Sequence, residues 1–439
     1  MITQKYSSFE QYEFIGEFFI SECSCKTKFP GRVKYDLESG LTLSFNIAEK
    51  NFPMKTDILI GILDNGKKCT LVGPFDFSQS GVRMGNVYTR FGSHEFNFLI
   101  IGEFTIFNEQ YKSAHFNFSN MQEFFYPQGW INNVEFDEGV IDKIECADWI
   151  LEVRNKATVI DITHNFNNLI IASDKSVANK IITSVNEILA ESENNSLLLR
   201  KTLEFYFLYE STNEINIHSM YESLYRISSL FSIFMNIPVF PDEVTLIKSD
   251  KSSVKILAGQ KTEARTIELA RSRPSHHLMP INRKSVNLNE SLIKWFELYD
   301  NYKVLSTTFQ YETNFRTLHT AYSDIILYLA NIEAIAIDIG THKKYKYISP
   351  INKYASRELT KSLETIFKRV NTNDLGTNLS DIRGELAHEG RPKKLMYELD
   401  IVDYIDIASL LKLIVVSHLL SKLGFNIRDI HAYQVKLIQ

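Results

Sequence analysis

Apolar and polar residues alternate differently in the two parts of this chain. Up to about residue 145 the apolar residues form short runs rich in aromatic and branched side chains, which is typical of β-strands. The predicted strands are residues 14–20, 41–47, 58–63, 69–72 and 95–101. Asp64, Asn65 and Gly66 separate two of them and predict a hairpin, because Asn-Gly readily adopts the positive dihedral angles of a type I′ turn.

The β character continues from about residue 146 to about residue 275. The predicted strands here are residues 160–164, 169–172, 197–208, 244–247 and 254–257. A single helix is predicted over residues 218–234, because Met220, Leu224 and Ile227 recur at helical spacing. The pattern therefore favours an antiparallel, β-sandwich-like region with one packed helix.

After about residue 275 the apolar residues recur every three or four positions. The predicted helices are residues 289–299, 315–339, 356–370, 379–389 and 396–423. Short connections between them favour an antiparallel helical bundle. The expected fold class is thus a multidomain α+β protein, divided into a β-rich region over 1–145, a continuing β-rich region over 146–275 and an all-α bundle over 276–439.

Composition and charge narrow the class of protein. Hydrophobic residues make up 44% of the 439 positions, which is ordinary for a globular protein. The first residues lack the apolar core of a signal peptide, and no run approaches membrane-spanning length, so we expect a cytoplasmic protein without a membrane. The net charge of -5 means that any RNA binding must depend on a local basic patch.

The cysteines give no sign of a metal site. Cys23, Cys25, Cys69 and Cys146 are few for this length and fit a reducing compartment. The Cys-x-Cys spacing is not that of a zinc knuckle, and no paired histidines accompany it. We therefore expect neither a metal nor a cofactor.

The candidate chemistry lies near the end of the predicted helix over 379–389. Arg383 and His388 are separated by four residues, Asn378 or Ser380 can cap the helix, and Gly390 can end it. His388 is expected in the last turn, where the unpaired carbonyls favour a protonated imidazole. A histidine that titrates near neutrality suits acid/base catalysis, and the planar guanidinium of arginine matches phosphate oxygens.

These two residues are suitable for cleaving an RNA phosphodiester without a metal. A base would take the proton of the ribose 2′-OH, and a cation would stabilise the pentacoordinate phosphorane. Five helical steps, however, place two side chains about 140° apart around the axis. A bend at the helix end or a second copy of the chain would be needed to bring both to one phosphate.

An Arg-x4-His motif at the end of a helix, within a C-terminal helical segment, resembles the HEPN superfamily of ribonucleases. The order of a β-rich half and one such domain is similar to the ApeA-type abortive-infection proteins of bacterial anti-phage defence. The resemblance implies Arg383 and His388 as catalytic residues, a homodimer or higher homo-oligomer that completes the site, and 2′,3′-cyclic phosphate products. It also implies host RNA such as tRNA as the substrate, a phage-derived trigger and a sensing or regulatory N-terminal region.

The resemblance extends to one further residue and has one departure. Glu333 resembles the acidic residue that supports the site from an earlier helix, although it can equally be a buried carboxylate paired with another arginine. Active family members usually carry a polar residue directly after the motif arginine, and this chain has Gly384. Arg391, Lys393 and Lys394 form a basic patch for RNA, or simply a solvated loop.

Alternative interpretations stay open. A solvated helix face would explain Arg383 and His388 without catalysis, and Arg271 and His276 share their spacing in a segment that Pro274 keeps from being helical. The bundle can be a catalytically inactive HEPN scaffold, or the β region can be a ligand-binding module with a helical oligomerisation domain. His418, alone on an apolar helix, is expected to be a core histidine.

Overall fold

The computed structural model describes most of the chain. The described residues are 5–20, 28–48, 55–76, 80–83, 89–125, 139–191, 196–272, 274, 276–311, 318–370, 373–388, 390 and 392–438. The strands in the first half are β1 (Tyr12–Phe19), β2 (Phe29–Asp36), β3 (Gly40–Ile47), β4 (Lys55–Leu63), β5 (Lys68–Asp76), β6 (Gly81–Arg83), β7 (Thr89–Glu95), β8 (Phe98–Ile101) and β9 (Gln110–Asn117). They are followed by β10 (Gly139–Glu145), β11 (Trp149–Asp161), β12 (Leu198–Asn216), β13 (Asp242–Ile247) and β14 (Ser253–Ala258).

The described strands join in one antiparallel sheet. Its 14 strands follow the order β10-β11-β12-β9-β13-β14-β8-β5-β4-β1-β2-β3-β7-β6. Strands of the two predicted β-rich regions therefore share a sheet, and the predicted division at residue 145 stays a prediction. The expectation of an antiparallel, sheet-rich first part is confirmed.

The predicted hairpin over residues 64–66 joins β4 to β5, but its turn differs from the prediction. Gly66 has a positive φ of 78°, whereas Asn65 is not among the described residues with positive φ. The amide of Leu63 also bonds the carbonyl of Lys67 at 2.9 Å. A three-residue loop with glycine in the left-handed conformation explains this geometry, so the type I′ expectation was wrong.

One hydrophobic core lies within the first part of the sheet. Its large buried residues include Phe18, Val33, Leu43, Leu71 and Leu99, which come from β1, β2, β3, β5 and β8. A core formed by strands of a single sheet requires that sheet to curl over on itself.

A second core joins the rest of the sheet to the helices. Phe116 and Phe207 of the sheet, Phe231 of the following helix and Trp295 and Leu329 of the bundle belong to one buried cluster. Burial on this scale fixes the bundle to one face of the sheet. The helical second part is confirmed, and the chain is an α+β protein.

The helices differ in detail from the predicted ones. In the first part they are α1 (Met121–Phe125), α2 (Phe166–Leu169), α3 (Lys175–Glu191), α4 (Ile217–Met235) and α5 (Ala264–Arg271). The bundle contains α6 (Leu288–Tyr311), α7 (Leu318–Asp338), α8 (Ile348–Tyr354), α9 (Arg357–Lys368), α10 (Leu375–Ala387), α11 (Lys394–Glu398), α12 (Ile401–Lys422) and α13 (Ile427–Ile438). The predicted strand over 169–172 was wrong, because Leu169 ends α2, and the strand predicted over 160–164 ends at Asp161.

Two helices are long and apolar enough to cross a membrane when only length and composition are considered. They are Thr320–Asp338 in α7 and the whole of α12, so the expectation that no run approaches this length was wrong. The apolar window of α12 is 72% buried inside the protein, as expected for the central helix of a bundle.

Candidate active site

The motif helix α10 begins and ends at other residues than expected. Asp374 is its N-cap, because its side chain accepts a hydrogen bond from the amide of Thr377 at 3.1 Å. Asn378, one of the predicted caps, is buried inside the helix. The helix ends at Ala387, and His388 is the C-cap with extended dihedral angles of −130° and 111°. His388 therefore lies just beyond the last turn.

This helix end changes the geometry of the motif. The separation of about 140° applies to two residues on one straight helix. Arg383 is inside α10, whereas the backbone at His388 has already left the helical path. The backbone therefore changes direction between the two motif residues. Gly384, which directly follows the motif arginine, is buried.

Arg383 projects towards α7, where Glu333 lies. Its Nε atom is 3.3 Å from Oε1 of Glu333, and the two side chains are 33% and 25% exposed. Arg383 Nε is buried and has no hydrogen-bond partner in the described part of the chain, so this contact is an ion pair without an aligned hydrogen bond. Glu333 thus pairs with the motif arginine.

Two further residues hold Glu333. Lys346 donates a hydrogen bond to Oε1 of Glu333 at 2.8 Å, and the hydroxyl of Tyr347 donates to the same oxygen. Burial tends to raise the pKa of Glu333, but the hydrogen bonds from Lys346 and Tyr347 and the charge of Arg383 outweigh it and lower the pKa. The carboxylate is therefore ionised at neutral pH and fixed beside the guanidinium.

His388 has an exposed side chain. Its backbone carbonyl accepts a hydrogen bond from Nζ of Lys393 at 3.0 Å, and the same ammonium donates to the carbonyl of Glu385. A cation at the C-terminus of a helix satisfies carbonyls that lack intrahelical partners. Lys393 therefore stabilises the turn that carries His388.

Glu385, whose importance the sequence did not reveal, connects the motif helix to α11. The residue is 6% exposed, and its carboxylate oxygens accept hydrogen bonds from the amides of Leu395 and Met396 at 3.1 and 3.0 Å. A glutamate nine residues before a short helix carries no local signal of such a contact, because the intervening loop determines it.

The three residues of the predicted RNA-binding patch do not share one environment. Arg391 lies outside the described residues, and Lys394 is exposed as the first residue of α11. Lys393 is occupied by the two backbone carbonyls. Of the two described lysines in this patch, Lys394 is therefore the more accessible to a phosphate.

Other chemically suggestive residues have structural contacts. His418 is 4% exposed and lies between the hydroxyl of Tyr302 at 2.9 Å and Oδ2 of Asp338 at 3.1 Å, as expected of a core histidine. His276 contacts the carbonyl of Glu123 through Nδ1 at 3.1 Å. Cys69 and Cys146 are free thiols, while Cys23 and Cys25 lie outside the described residues. Within the described ranges, no group of three or more His, Cys, Asp or Glu residues is arranged to hold a metal ion.

Comparison with known families defines first the class of the helical part. Residues 291–429 match the family model described as Apea-like HEPN, which makes this part a HEPN domain. Residues 13–295 match the model of the ApeA N-terminal domain 1. The two matches cover nearly the whole chain, which therefore belongs to the ApeA family of HEPN proteins. No curated protein and no solved structure matches it.

Membership of this family has functional consequences. The ApeA-like HEPN domain makes the chain an anti-phage defence HEPN protein. HEPN domains are generally ribonucleases, so the class of enzyme is a ribonuclease.

Proposed function

We propose that this protein is a metal-independent endoribonuclease that uses Arg383 and His388 to cleave host RNA, such as tRNA, during infection. The observation that carries the proposal is the ion pair between Arg383 and Glu333, next to an exposed histidine at the end of the same helix. A solvated helix face would not need a buried Nε, a fixed carboxylate and a supporting lysine and tyrosine. This arrangement orients a guanidinium whose remaining nitrogen atoms can bind a phosphate.

In the proposed reaction, His388 takes the proton of a ribose 2′-OH. The 2′ oxygen attacks the adjacent phosphorus, the new O2′–P bond forms, and the bond from phosphorus to the 5′ oxygen breaks. The 5′ oxygen takes a proton from water and leaves as a hydroxyl, His388 returns its proton to solvent, and the other fragment ends in a 2′,3′-cyclic phosphate. The charge of Arg383 stabilises the phosphorane, which is more negative than the ground state.

A second protomer would complete the site. Glu333 occupies Arg383 within its own chain, and His388 faces solvent. A homodimer or higher oligomer would bring the two motifs together, exclude water and supply a second pair of catalytic groups. Sedimentation velocity at the concentrations that support cleavage tests this part of the proposal, and a cleaving monomer would contradict it.

The large β-rich part is then the control element. A constantly active ribonuclease would harm its host, so we propose that this part senses a phage-derived trigger in the cytoplasm and restrains the HEPN domain until infection. The two parts share one hydrophobic core, which gives a change in the sheet a physical route to the bundle.

The experiment is RNA cleavage by the wild-type protein and by Arg383→Ala and His388→Ala, with metals chelated and the product ends analysed. Arg265→Ala and His277→Ala are matched controls, because both residues are exposed and lie outside the HEPN motif. We expect cyclic phosphate ends with the wild type and controls, and loss of cleavage in both motif variants.

Assays in cells test the activated enzyme, because infection can supply the trigger. Toxicity is measured on expression, and defence is measured as protection of the cells against phage. Defence that disappears with either motif substitution supports the nuclease. Intact defence in both variants would overturn it and would favour an inactive HEPN scaffold, or a ligand-binding β module with a helical oligomerisation domain.

A further inference from the structure

The connection between β11 and β12 belongs to an arm that extends beyond the neighbouring strands of the sheet. Among the described strands, β10 pairs with β11 only as far as Asn155, and β9 pairs with β12 only from Phe207 onwards. Residues 156–161 pair with residues 198–204 in the two-stranded extension that follows. The helices α2 and α3 lie between these two segments in the chain. We call residues 156–204 the arm.

The helix α3 leaves one apolar stripe uncovered. Val177, Ile181 and Ile188 are 46%, 43% and 62% exposed. These three side chains lie within about 40° of one another around the axis of a helix with 3.6 residues per turn. The adjacent face of α3 is buried or half-buried and consists of Ala178, Ile182, Val185 and Leu189. The helix thus has one apolar face that the arm covers and a second apolar face that is open to a partner.

Charged side chains line one flank of this stripe. Lys180 lies on the flank in the first half of α3, and Glu187 and Glu191 lie on the same flank in the second half. All three side chains are exposed. Lys180 and Glu187 are about 10 Å apart along the axis, which is too far for an ion pair within the helix. A basic residue before acidic ones is also the reverse of the order that the helix dipole favours. The order of these charges therefore does not favour the isolated helix.

A second copy of α3 supplies the complementary charges when it runs antiparallel to the first. A two-fold axis through the stripe reverses the direction of the second helix and places the same flank of both helices side by side. Lys180 of each copy then faces Glu187 of the other copy, and the two apolar stripes meet beside these pairs. The helix dipoles are also antiparallel in this arrangement. A parallel pair would instead place each lysine level with the lysine of the other copy.

We infer that α3 is an interface between two copies of this chain, formed by antiparallel pairing of the apolar stripe and flanked by ion pairs between Lys180 and Glu187. A membrane surface fits this helix less well, because helices that lie on membranes carry a basic polar face and the flank here has more acidic than basic residues. The inference goes beyond the proposed active site, because the arm lies outside the HEPN domain, and it does not depend on RNA cleavage.

The size of the interface indicates how it acts. The 17 residues of α3 form a helix about 25 Å long. A pair of such helices is small beside the roughly 1,200–2,000 Å² that a stable interface buries. The arm therefore strengthens an assembly that has a further contact between the copies, because a second contact within one assembly forms at a high effective concentration.

Sedimentation velocity of the full chain over a concentration series tests the inference with charge-reversed variants. Lys180→Glu and Glu187→Lys each place like charges opposite each other in a pair of identical chains. Each variant is therefore expected to self-associate at least about tenfold more weakly than the wild type. Lys175→Glu is the matched control, because Lys175 is exposed on the same helix and lies about 140° from Lys180 around the axis.

Recovery of association distinguishes the interface from a folding defect. In an equimolar mixture of Lys180→Glu and Glu187→Lys, opposite charges face each other at both positions, and the double variant restores opposite charges between identical chains. We expect wild-type association in both cases. A variant that fails to fold would not recover on mixing, so its melting temperature is compared with that of the wild type.

Ile181→Glu tests the apolar stripe and is also expected to weaken association at least about tenfold. Val140→Glu is its control, because Val140 is 50% exposed on β10, outside the arm. Wild-type association of folded Lys180→Glu and Ile181→Glu, or a wild type that stays monomeric up to about 100 μM, would overturn the inference. Binding of a monomeric wild type to anionic phospholipid vesicles, lost in Ile181→Glu, would assign the stripe to a membrane instead.

Discussion

Arg383 of α10 and Glu333 of α7 form an ion pair in which Nε lies 3.3 Å from Oε1. The pair joins the motif helix to α7, so the orientation of the arginine depends on a neighbouring element. Lys346 and Tyr347 bind the same carboxylate oxygen. Glu333, held by Lys346 and Tyr347, therefore determines where the guanidinium points.

Replacing Glu333 by Gln is expected to weaken both the fold and the enzyme. The substitution leaves Lys346 and Arg383 without their anion, which we expect to cost about 1–2 kcal/mol in the free energy of unfolding. RNA cleavage should fall because Arg383 loses its orientation. Denaturant unfolding and cleavage assays measure the two effects. Glu364→Gln is the control, since Glu364 forms an exposed pair with Lys368 that is worth about 0.3–0.5 kcal/mol.

Acid should remove the contribution of Glu333. Its folded pKa is below the unfolded value, so the carboxylate stabilises the fold above about pH 4.5, and this stabilisation is lost as the pH falls through the folded pKa. The difference in unfolding free energy between the wild type and Glu333→Gln should therefore shrink on acidification below about pH 4.5. A constant difference down to pH 3 would contradict the assigned ion pair.

Asp242 has the opposite pH dependence. Burial raises its pKa to about 6, although the amides of Ser8 and Glu243 and the hydroxyl of Ser7 bond the carboxylate. A raised folded pKa means that stability falls as the pH rises from about 3.8 to about 6, by an amount of order 3 kcal/mol at most.

Asp242→Asn tests this dependence. The amide keeps an oxygen for the two backbone amides but does not ionise. We expect the wild type to lose stability relative to the variant between pH 4 and pH 7, in parallel unfolding measurements. Identical pH profiles of unfolding free energy in the wild type and Asp242→Asn would show that the ionisation of Asp242 does not affect stability. Asp64→Asn, an exposed change in the β4–β5 turn, should show no such dependence.

Much of this architecture was predictable from local patterns, because strands and the helix α4 bury one face and repeat with a clear period. The helix α3 was missed because it is almost entirely exposed, with Ala178 as its buried residue among those described. Val177, Ile181 and Ile188 do show helical spacing, but a short apolar run at Leu169 and Ile171 suggested a strand. The order of the sheet was not predictable, because β8 pairs with β5 and β14, which are distant in sequence.

The site was predictable only as a set of residues. The motif spacing identified Arg383 and His388, and the resemblance added Glu333. The sequence did not indicate that α10 begins after Asp374 or that Glu385 is buried, because both depend on the loops around the helix. Catalysis by these residues stays a prediction.

Glu385→Ala tests the connection between the motif helix and α11. The substitution leaves the amides of Leu395 and Met396 without their acceptor, which we expect to cost about 1–3 kcal/mol. Cleavage should also fall, because the turn with His388 lies between the two elements. Glu398→Ala, an exposed change on α11, should stay within about 0.5 kcal/mol of the wild type. If Glu385→Ala is as stable as the wild type, water replaces the carboxylate as the acceptor of these amides at no cost in unfolding free energy.

The two adjacent lysines after the motif are expected to act differently. Lys394 is exposed, so Lys394→Gln should reduce the slope of log affinity against log salt for RNA by about one phosphate contact, without a loss of stability. Lys393 instead binds the carbonyls of Glu385 and His388, so Lys393→Gln should cost about 0.5–1 kcal/mol in unfolding and leave the salt slope unchanged. Filter binding at several salt concentrations and denaturant unfolding separate the two, with Lys368→Gln as an exposed control on α9. Equal effects of both substitutions on RNA affinity would mean that Lys393 leaves the helix end to bind the nucleic acid.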